Sequence, residues 1–306
     1  MSRLRHSYAG YLRYMQLSST DLFVFVEGKQ SDPYFYASIL KSIPDINCRY
    51  EICIANQLPG GAGGKQELLV FFSFLRKRKS LVSLLVGKKT TCIFFLDKDL
   101  DDLQHKKRRS QHVVYTEHYD VQNYIFLHGN LLTGAASAAS VDPARLQAEL
   151  SDAPNWCLRV AKFWREWICL CLCVLENNIA CEANYRVTSR VQTTLCGPID
   201  NELHANLINN VANRCGLPVV AFRQMLASTT RKVDRYFAKG QHHRVFKGKW
   251  FAAILANDID RIMAGQPYDS ADLANRLTSS VATTLDFSEP WADYFGNSIR
   301  DVIAML

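Results

Sequence analysis

"DLFVFVEGKQSDPYFYASIL", Asp21 to Leu40, sets the fold class. Leu22 to Val26 is an unbroken apolar run rich in valine and phenylalanine, the composition of a strand covered on both faces and hence of a parallel sheet. Glu27 stands at its C-terminal end. Gly28 permits a tight turn, Ser31 or Asp32 can cap a helix, and Pro33 suits the first helical turn ahead of "YFYASILKSI". The order strand, acid, turn, helix recurs downstream: "RYEICIA" reads as a second strand, "GKQELLVFFSFLRKRK" as a helix with a basic end, and "TTCIFFLD" as another buried strand. Alternation at these lengths predicts βαβ units, an α/β fold on a mostly parallel sheet.

In open parallel sheets the reactive crevice lies beyond the carboxyl ends of the strands. Glu27 and Asp97 both fall at such ends. If the chain stays extended through Lys98, the period of two places Asp99 on the same side as Asp97, with Asp101 and Asp102 following in the descending loop. A lone D-x-D is most simply a solvated acidic turn. Glu27 at the end of a similar strand turns the reading toward a metal site, and hard anionic oxygen ligands suit Mg2+ or Mn2+. The run "HKKRR" follows at once. Between Arg76 and Arg109 there are eleven lysines and arginines against four aspartates, a local balance of +7 equal to that of the whole chain. Lys98, Lys106, Lys107, Arg108 and Arg109 are therefore candidate contacts to a polyanion such as nucleic acid.

The segment "LPGGAGGKQE" fails the Walker A pattern, which needs glycine where Pro59 stands and Ser or Thr where Gln66 stands. What remains is a glycine-rich backbone entering a helix. Its N–H groups and Lys65 can face phosphate, or it is a plain loop. Ten cysteines with no C-x-x-C pair argue against a disulfide scaffold and against structural zinc. The apolar run Trp167 to Leu175 is too short to cross a bilayer. The expectation is a cytoplasmic protein with no membrane partner.

Beyond Leu127, "GNLLTGAASAASVDPA" reads as a small-residue connector, with Asp142 and Pro143 starting a helix. "WCLRVAKFWREWICLCLCVLENN", Trp156 to Asn177 or just beyond, reads as one long helix, with Trp164 and Trp167 in the core. In the C-terminal third, "PVVAFRQMLASTTRKVDRYF" and "WFAAILANDIDRIM" read as helices. The linking "AKGQHHRVFKGKW" reads as extended, with His242 and His243 pointing opposite ways and Lys247 and Lys249 facing the same way. This divides the chain into a catalytic core over 1–130, a helical insertion or interaction region over 131–238, and a C-terminal segment, 239–306, returning to the core.

Taken in order, "FVFVEGKQSDPYFY", "GGAGGKQE", "IFFLDKDLDD", "YTEHYDVQNYIF" and "HRVFKGKWF" resemble the TOPRIM-like nucleases related to the OLD family, in particular the nuclease effectors of the PARIS anti-phage system. The resemblance covers roughly Asp21 to Leu127 and returns near His242 to Leu255. It implies a TOPRIM-like Rossmannoid core with an α-helical insertion, and magnesium on Glu27, Asp97 and Asp99, with Asp101 beside them. It implies a lysine, Lys247 or Lys249, at the phosphate. Relatives often carry glutamate where Gln122 stands, so Asp120 and Asn123 either supply a ligand or pin the loop. The implied activity is an endonuclease cleaving RNA, specifically transfer RNA, with a DNA nickase and a non-catalytic nucleic-acid-binding subunit as alternatives. The implied partner is an ABC-type ATPase that holds the nuclease until release, after which it forms a homodimer. The helical region from about Asp142 to Asn184 is the expected contact surface.

Overall fold

The computed structural model describes residues 7–44, 46–61, 63–185, 191 and 198–306, which divide into two compact units. The first comprises the described residues of Met1–Lys98, Lys107–Thr116 and Asp286–Leu306. Its elements are α1 (Tyr8–Leu17), β1 (Leu22–Val26), α2 (Asp32–Ser42), β2 (Tyr50–Ile54), α3 (Gly64–Lys77), β3 (Val82–Leu85), β4 (Lys88–Leu96) and β5 (Val113–Tyr115), closed by a C-terminal helix, Pro290–Ile303. β1 is central, parallel to β2 on one side and to β4 on the other. The far edge of β4 is shared by antiparallel β3 along its first half and parallel β5 along its last residues. The result is an α/β unit on a mostly parallel five-stranded sheet.

Burial explains the composition of β1. All five of its residues are fully buried, because both faces of the sheet are covered. Phe23 and Phe25, aligned with Cys92 and Phe94 of β4, pack beneath α1 and α3 with Tyr11, Phe71 and Phe72. On the opposite face α2 and the C-terminal helix interlock through aromatic rings: Tyr36 stacks on Phe95 at 4.2 Å and Phe35 on Trp291 at 5.7 Å. β3 escapes the sequence reading because its turn is Val86-Gly87. Both residues have positive φ (50° and 76°), the two-residue hairpin conformation that Asn-Gly ordinarily announces.

The second unit, Asp99–Lys106 with the described residues of Glu117–Leu285, is helical. It contains α4 (Val121–His128), α5 (Leu131–Ala139), α6 (Gln147–Leu150), α7 (Ala153–Phe163), α8 (Arg165–Glu176), α9 (Asn201–Arg214), α10 (Val219–Ala238), α11 (Lys249–Ile262) and α12 (Leu273–Ala282). Three expectations are corrected here. The small-residue stretch is helix α5 rather than a connector. Its small residues let α12 approach so closely that a Cβ on Gly134 would lie 2.8 Å from the Val281 Cα. The single helix over Trp156 to Asn177 is two, broken at Trp164 (φ −96°, ψ 3°). Every residue from Trp167 to Val174 is buried, so this apolar run packs in the unit's own core. Trp164 and Trp167 are core residues, as expected.

The third correction concerns "HHRVFKGKW". It is a 3-10 turn, His242–Arg244, leading into α11, so the strand period that placed Lys247 and Lys249 on one side does not operate. His242 is buried at 5 % exposure rather than solvated. No helix among the described residues is long and apolar enough to cross a membrane.

Candidate functional site

Parallel pairing of β1 with β4 puts Val26 level with Phe95, so both strands finish together. Glu27, the next residue, turns its carboxylate onto the partner strand's exit: Oε1 accepts the Asp97 N–H at 2.8 Å. Asp97 itself is 4 % exposed. The turn that follows Glu27 is fixed from α2, where Asp32 Oδ2 accepts the Gly28 N–H at 2.7 Å, and a Cβ on Gly28 would meet the Asp32 carboxylate at 2.8 Å. Asp32 therefore serves the turn rather than the end of its own helix, and Ser31 at the cap position makes no side-chain capping bond. β1 has its sequence neighbour β2 on one side and β4 on the other, the reversal of strand order that opens a crevice at the carboxyl ends.

Extended chain stops at Lys98, whose N–H donates to Thr116 Oγ1 at 2.8 Å. Asp99 has φ 48° and belongs to the helical unit, where its N–H donates to the Tyr119 carbonyl at 2.7 Å. Strand β4 itself ends at Leu96, ahead of both aspartates. Asp101 and Asp102 continue that turn: the Asp101 carbonyl accepts the Lys106 N–H at 2.9 Å and Asp102 Oδ1 accepts the Leu103 N–H at 2.9 Å. Among the described residues, no group of three or more His, Cys, Asp or Glu side chains is placed to hold a metal ion. At the strand ends the fold sets the Glu27 carboxylate against the Asp97 backbone, with the Asp97 side chain on that same residue. Carboxylates of this kind are the ligand type a hard divalent cation takes.

The basic candidates separate by burial. Lys106, Lys107, Arg108 and Arg109 are exposed, with the Lys107 ammonium 5.0 Å from the Tyr115 ring centre and the Arg108 N–H donating to Tyr115 Oη at 3.0 Å. Lys98, at 2 % exposure, is placed inward and not as a surface phosphate contact. Lys65 is half-buried in the first turn of α3. Glu67 shares that turn, only 7 % exposed, and accepts from Tyr8 Oη at 2.5 Å and from the Gly60 N–H at 3.1 Å. Burial, followed by the neighbouring Glu67 carboxylate, pushes the Tyr8 phenol up to about 12.

"DVQNY" and "FKGKW" form a single joint in the helical unit. Asp120, fully buried, caps α4 by accepting the Asn123 N–H at 3.2 Å and the Asn123 Nδ2 at 3.0 Å, and takes the Lys249 N–H on Oδ2 at 3.2 Å. Asn123 Nδ2 also reaches the Phe246 carbonyl at 3.1 Å. A Cβ on Gly248 would stand 2.3 Å from Asp120 Oδ1 and 2.5 Å from the Asn123 nitrogen, so only glycine fits. Asp120 and Asn123 thus pin the loop. Lys247 Nζ donates to the Tyr185 carbonyl at 3.1 Å, while Lys249 is exposed at the start of α11. Beside the joint, His118 lies between Tyr124 and His243, with ring centres 4.1 and 3.9 Å away. Burial pushes the His242 imidazole down to about 4, keeping it neutral. The buried carboxylate Glu67 escapes notice in sequence and Asp32 is read there only as a helix cap, although a glycine followed four or seven residues later by an acid in a first helical turn is a usable signal.

No protein-family model matches the chain, and no curated protein matches it.

Proposed function

We propose that the chain is a metal-dependent nuclease of TOPRIM-like fold, acting on RNA. The observation that carries the reading is the Glu27 carboxylate accepting the Asp97 N–H across adjacent parallel strand ends, at the reversal of strand order. Acids at that place, Asp97 buried and Glu27 half-buried, concentrate negative charge where the fold leaves a crevice. Mg2+ or Mn2+ bound there supplies Lewis acidity toward a phosphodiester and a water of lowered pKa. Glu27 and Asp97 orient the site, Asp32 and Gly28 fix the turn that aims Glu27, and the exposed run Lys106–Arg109 attracts the polyanion. Asp99 and Asp101 remain proposed ligands and Lys247 and Lys249 proposed phosphate contacts, all through the family resemblance.

By the same resemblance the substrate is transfer RNA, the controlling partner is an ABC-type ATPase, the released form is a homodimer, and the setting is anti-phage defence in the cytoplasm. A second reading, a non-catalytic nucleic-acid-binding subunit, draws on the lack of a three-residue metal group among the described residues. Purified protein incubated with transfer RNA or DNA, with and without magnesium, separates the two. Glu27→Gln and Asp97→Asn are each expected to cut cleavage by roughly 100-fold or more while leaving the melting temperature nearly unchanged. Full activity in either variant removes the metal site from these residues. Cleaved DNA beside intact RNA replaces the ribonuclease with a nickase or DNA endonuclease.

A further inference from the structure

A groove of about 470 Å3 runs along helices α9 and α10, open to solvent. α10 presents Arg223, Thr230 and Arg231 to it, and α9 presents His204 and Ile208, with Glu166 entering from α8. Arg223 and Arg231 are eight residues apart on one helix, about 12 Å along its axis, so both guanidiniums flank the same cleft. Both are exposed, and among the described residues neither has an acidic partner, whereas nearby cations are compensated. Arg165 pairs with Glu166 and Asp234, Lys232 with Glu176, and Arg214 with Glu182.

The floor carries an independent signal. His204 is 8 % exposed and its Nε2 has no hydrogen-bond partner. An unsatisfied buried nitrogen carries a desolvation cost that a polar partner reaching it would offset. Burial lowers the His204 pKa against the raising effect of Glu166, so the ring is neutral, and with its other nitrogen bonded to the Glu166 backbone Nε2 is left as an acceptor. Thr230 Oγ1 donates to the Leu226 carbonyl at 3.0 Å and also bonds the Cys169 side chain, with one further lone pair open to a donor. Unpaired guanidiniums match phosphate oxygens two bonds at a time, and the volume is that of a small-molecule site rather than of a simple ion.

We infer that the α9–α10 groove binds a phosphate-bearing ligand of nucleotide size, with phosphate oxygens on Arg223 and Arg231 and a polar ring edge against His204 and Thr230. A free nucleoside phosphate and the 5′-phosphorylated end of an RNA strand share this chemistry. The inference does not rest on the nuclease reading, and titration of the Glu27→Gln protein keeps it separate from cleavage.

Calorimetric titration of the full chain with ADP, with a 5′-phosphorylated triribonucleotide and with tripolyphosphate provides the test. ADP or the trinucleotide is expected to bind, with affinity at least about tenfold weaker in Arg223→Ser/Arg231→Ser. His204→Leu is expected to weaken ADP or the trinucleotide but not tripolyphosphate, since it removes only the ring contact. Binding of ADP alone assigns the free nucleotide, and binding of the trinucleotide alone assigns the strand end. In the unaltered protein the bound ligand should also shield Arg223 and Arg231 from phenylglyoxal, a readout that does not depend on how the variants fold. No binding by ADP or trinucleotide at millimolar concentration overturns the proposal, as does binding that leaves both arginines as reactive as before.

Discussion

The turn after β1 and the loop before α3 both lay a glycine N–H on a carboxylate from the first turn of the next helix: Gly28 on Asp32 and Gly60 on Glu67. In both, the space a Cβ would need is taken by that carboxylate, at 2.8 Å in the first and 2.1 Å in the second. The outcomes differ in charge. The first turn is short, so Asp32 holds the backbone while Glu27 is left at the strand end against the Asp97 N–H. The longer loop brings Glu67 back over the entrance of α3, where a negative side chain complements the helix dipole. One device thus leaves an acid at the sheet crevice, and the other sets an acid at a glycine-rich helix entrance. Both outcomes depend on which carboxylate the helix supplies, not on the glycines.

A third glycine is the extreme case of the same packing, because Gly248 faces a backbone nitrogen as well as a carboxylate. Gly248→Ala is expected to destabilise the helical unit by about 3 kcal/mol or more, as neither neighbour can withdraw without breaking the Asp120 joint. Urea unfolding measures it, and a loss under about 1 kcal/mol would show that the joint yields. Gly60→Ala follows at about 2 kcal/mol, since Glu67 must release both Tyr8 and the loop, and Gly28→Ala at about 1 kcal/mol, where the clash is milder. The reverse order between these two would break the comparison, placing the tighter turn at the strand end.

The smallest expected effect is on alkaline stability. Tyr8 is held neutral in the fold with its pKa at about 12, above the ordinary 10 of an unfolded chain. The unfolded state therefore loses its proton first. This contribution is complete below about pH 10 and is lost as pH rises through about 12. Tyr8→Phe should flatten the decline over that window. An unchanged slope would detach Tyr8 from the closing of the loop.

Sequence reading recovered what depends on local burial. β1 was legible to the residue because five consecutive apolar side chains admit a strand covered on both faces, and α3 and α10 were legible from their periodic faces. Glu27 and Asp97 followed, since strand ends follow from strands. The failures share a cause, which is that partners distant in sequence decide the outcome. α5 looks like a linker until α12 explains its small residues, and the helix break at Trp164 carries no proline or glycine to announce it. The left-handed φ of Asp99 is not announced by the strand pattern before it, although aspartate is among the side chains that accept that conformation. The α9–α10 groove was invisible because Arg223 and His204 belong to different helices, and neither helix is unusual alone.

The divided far edge of β4 has a consequence for self-association. An intact sheet edge invites another chain to zip onto it through unpaired backbone groups. Here that side ends in two separate strands, β3 with four residues running antiparallel to β4 and β5 with three running parallel to it. An incoming strand would have to reverse its preferred pairing part-way along, so no continuous template is offered. The opposite side ends in β2, five residues long and, among the described residues, paired only with β1. Any edge-to-edge aggregation of this sheet is thereby directed to one strand, where a lysine facing outward from β2 would suppress it.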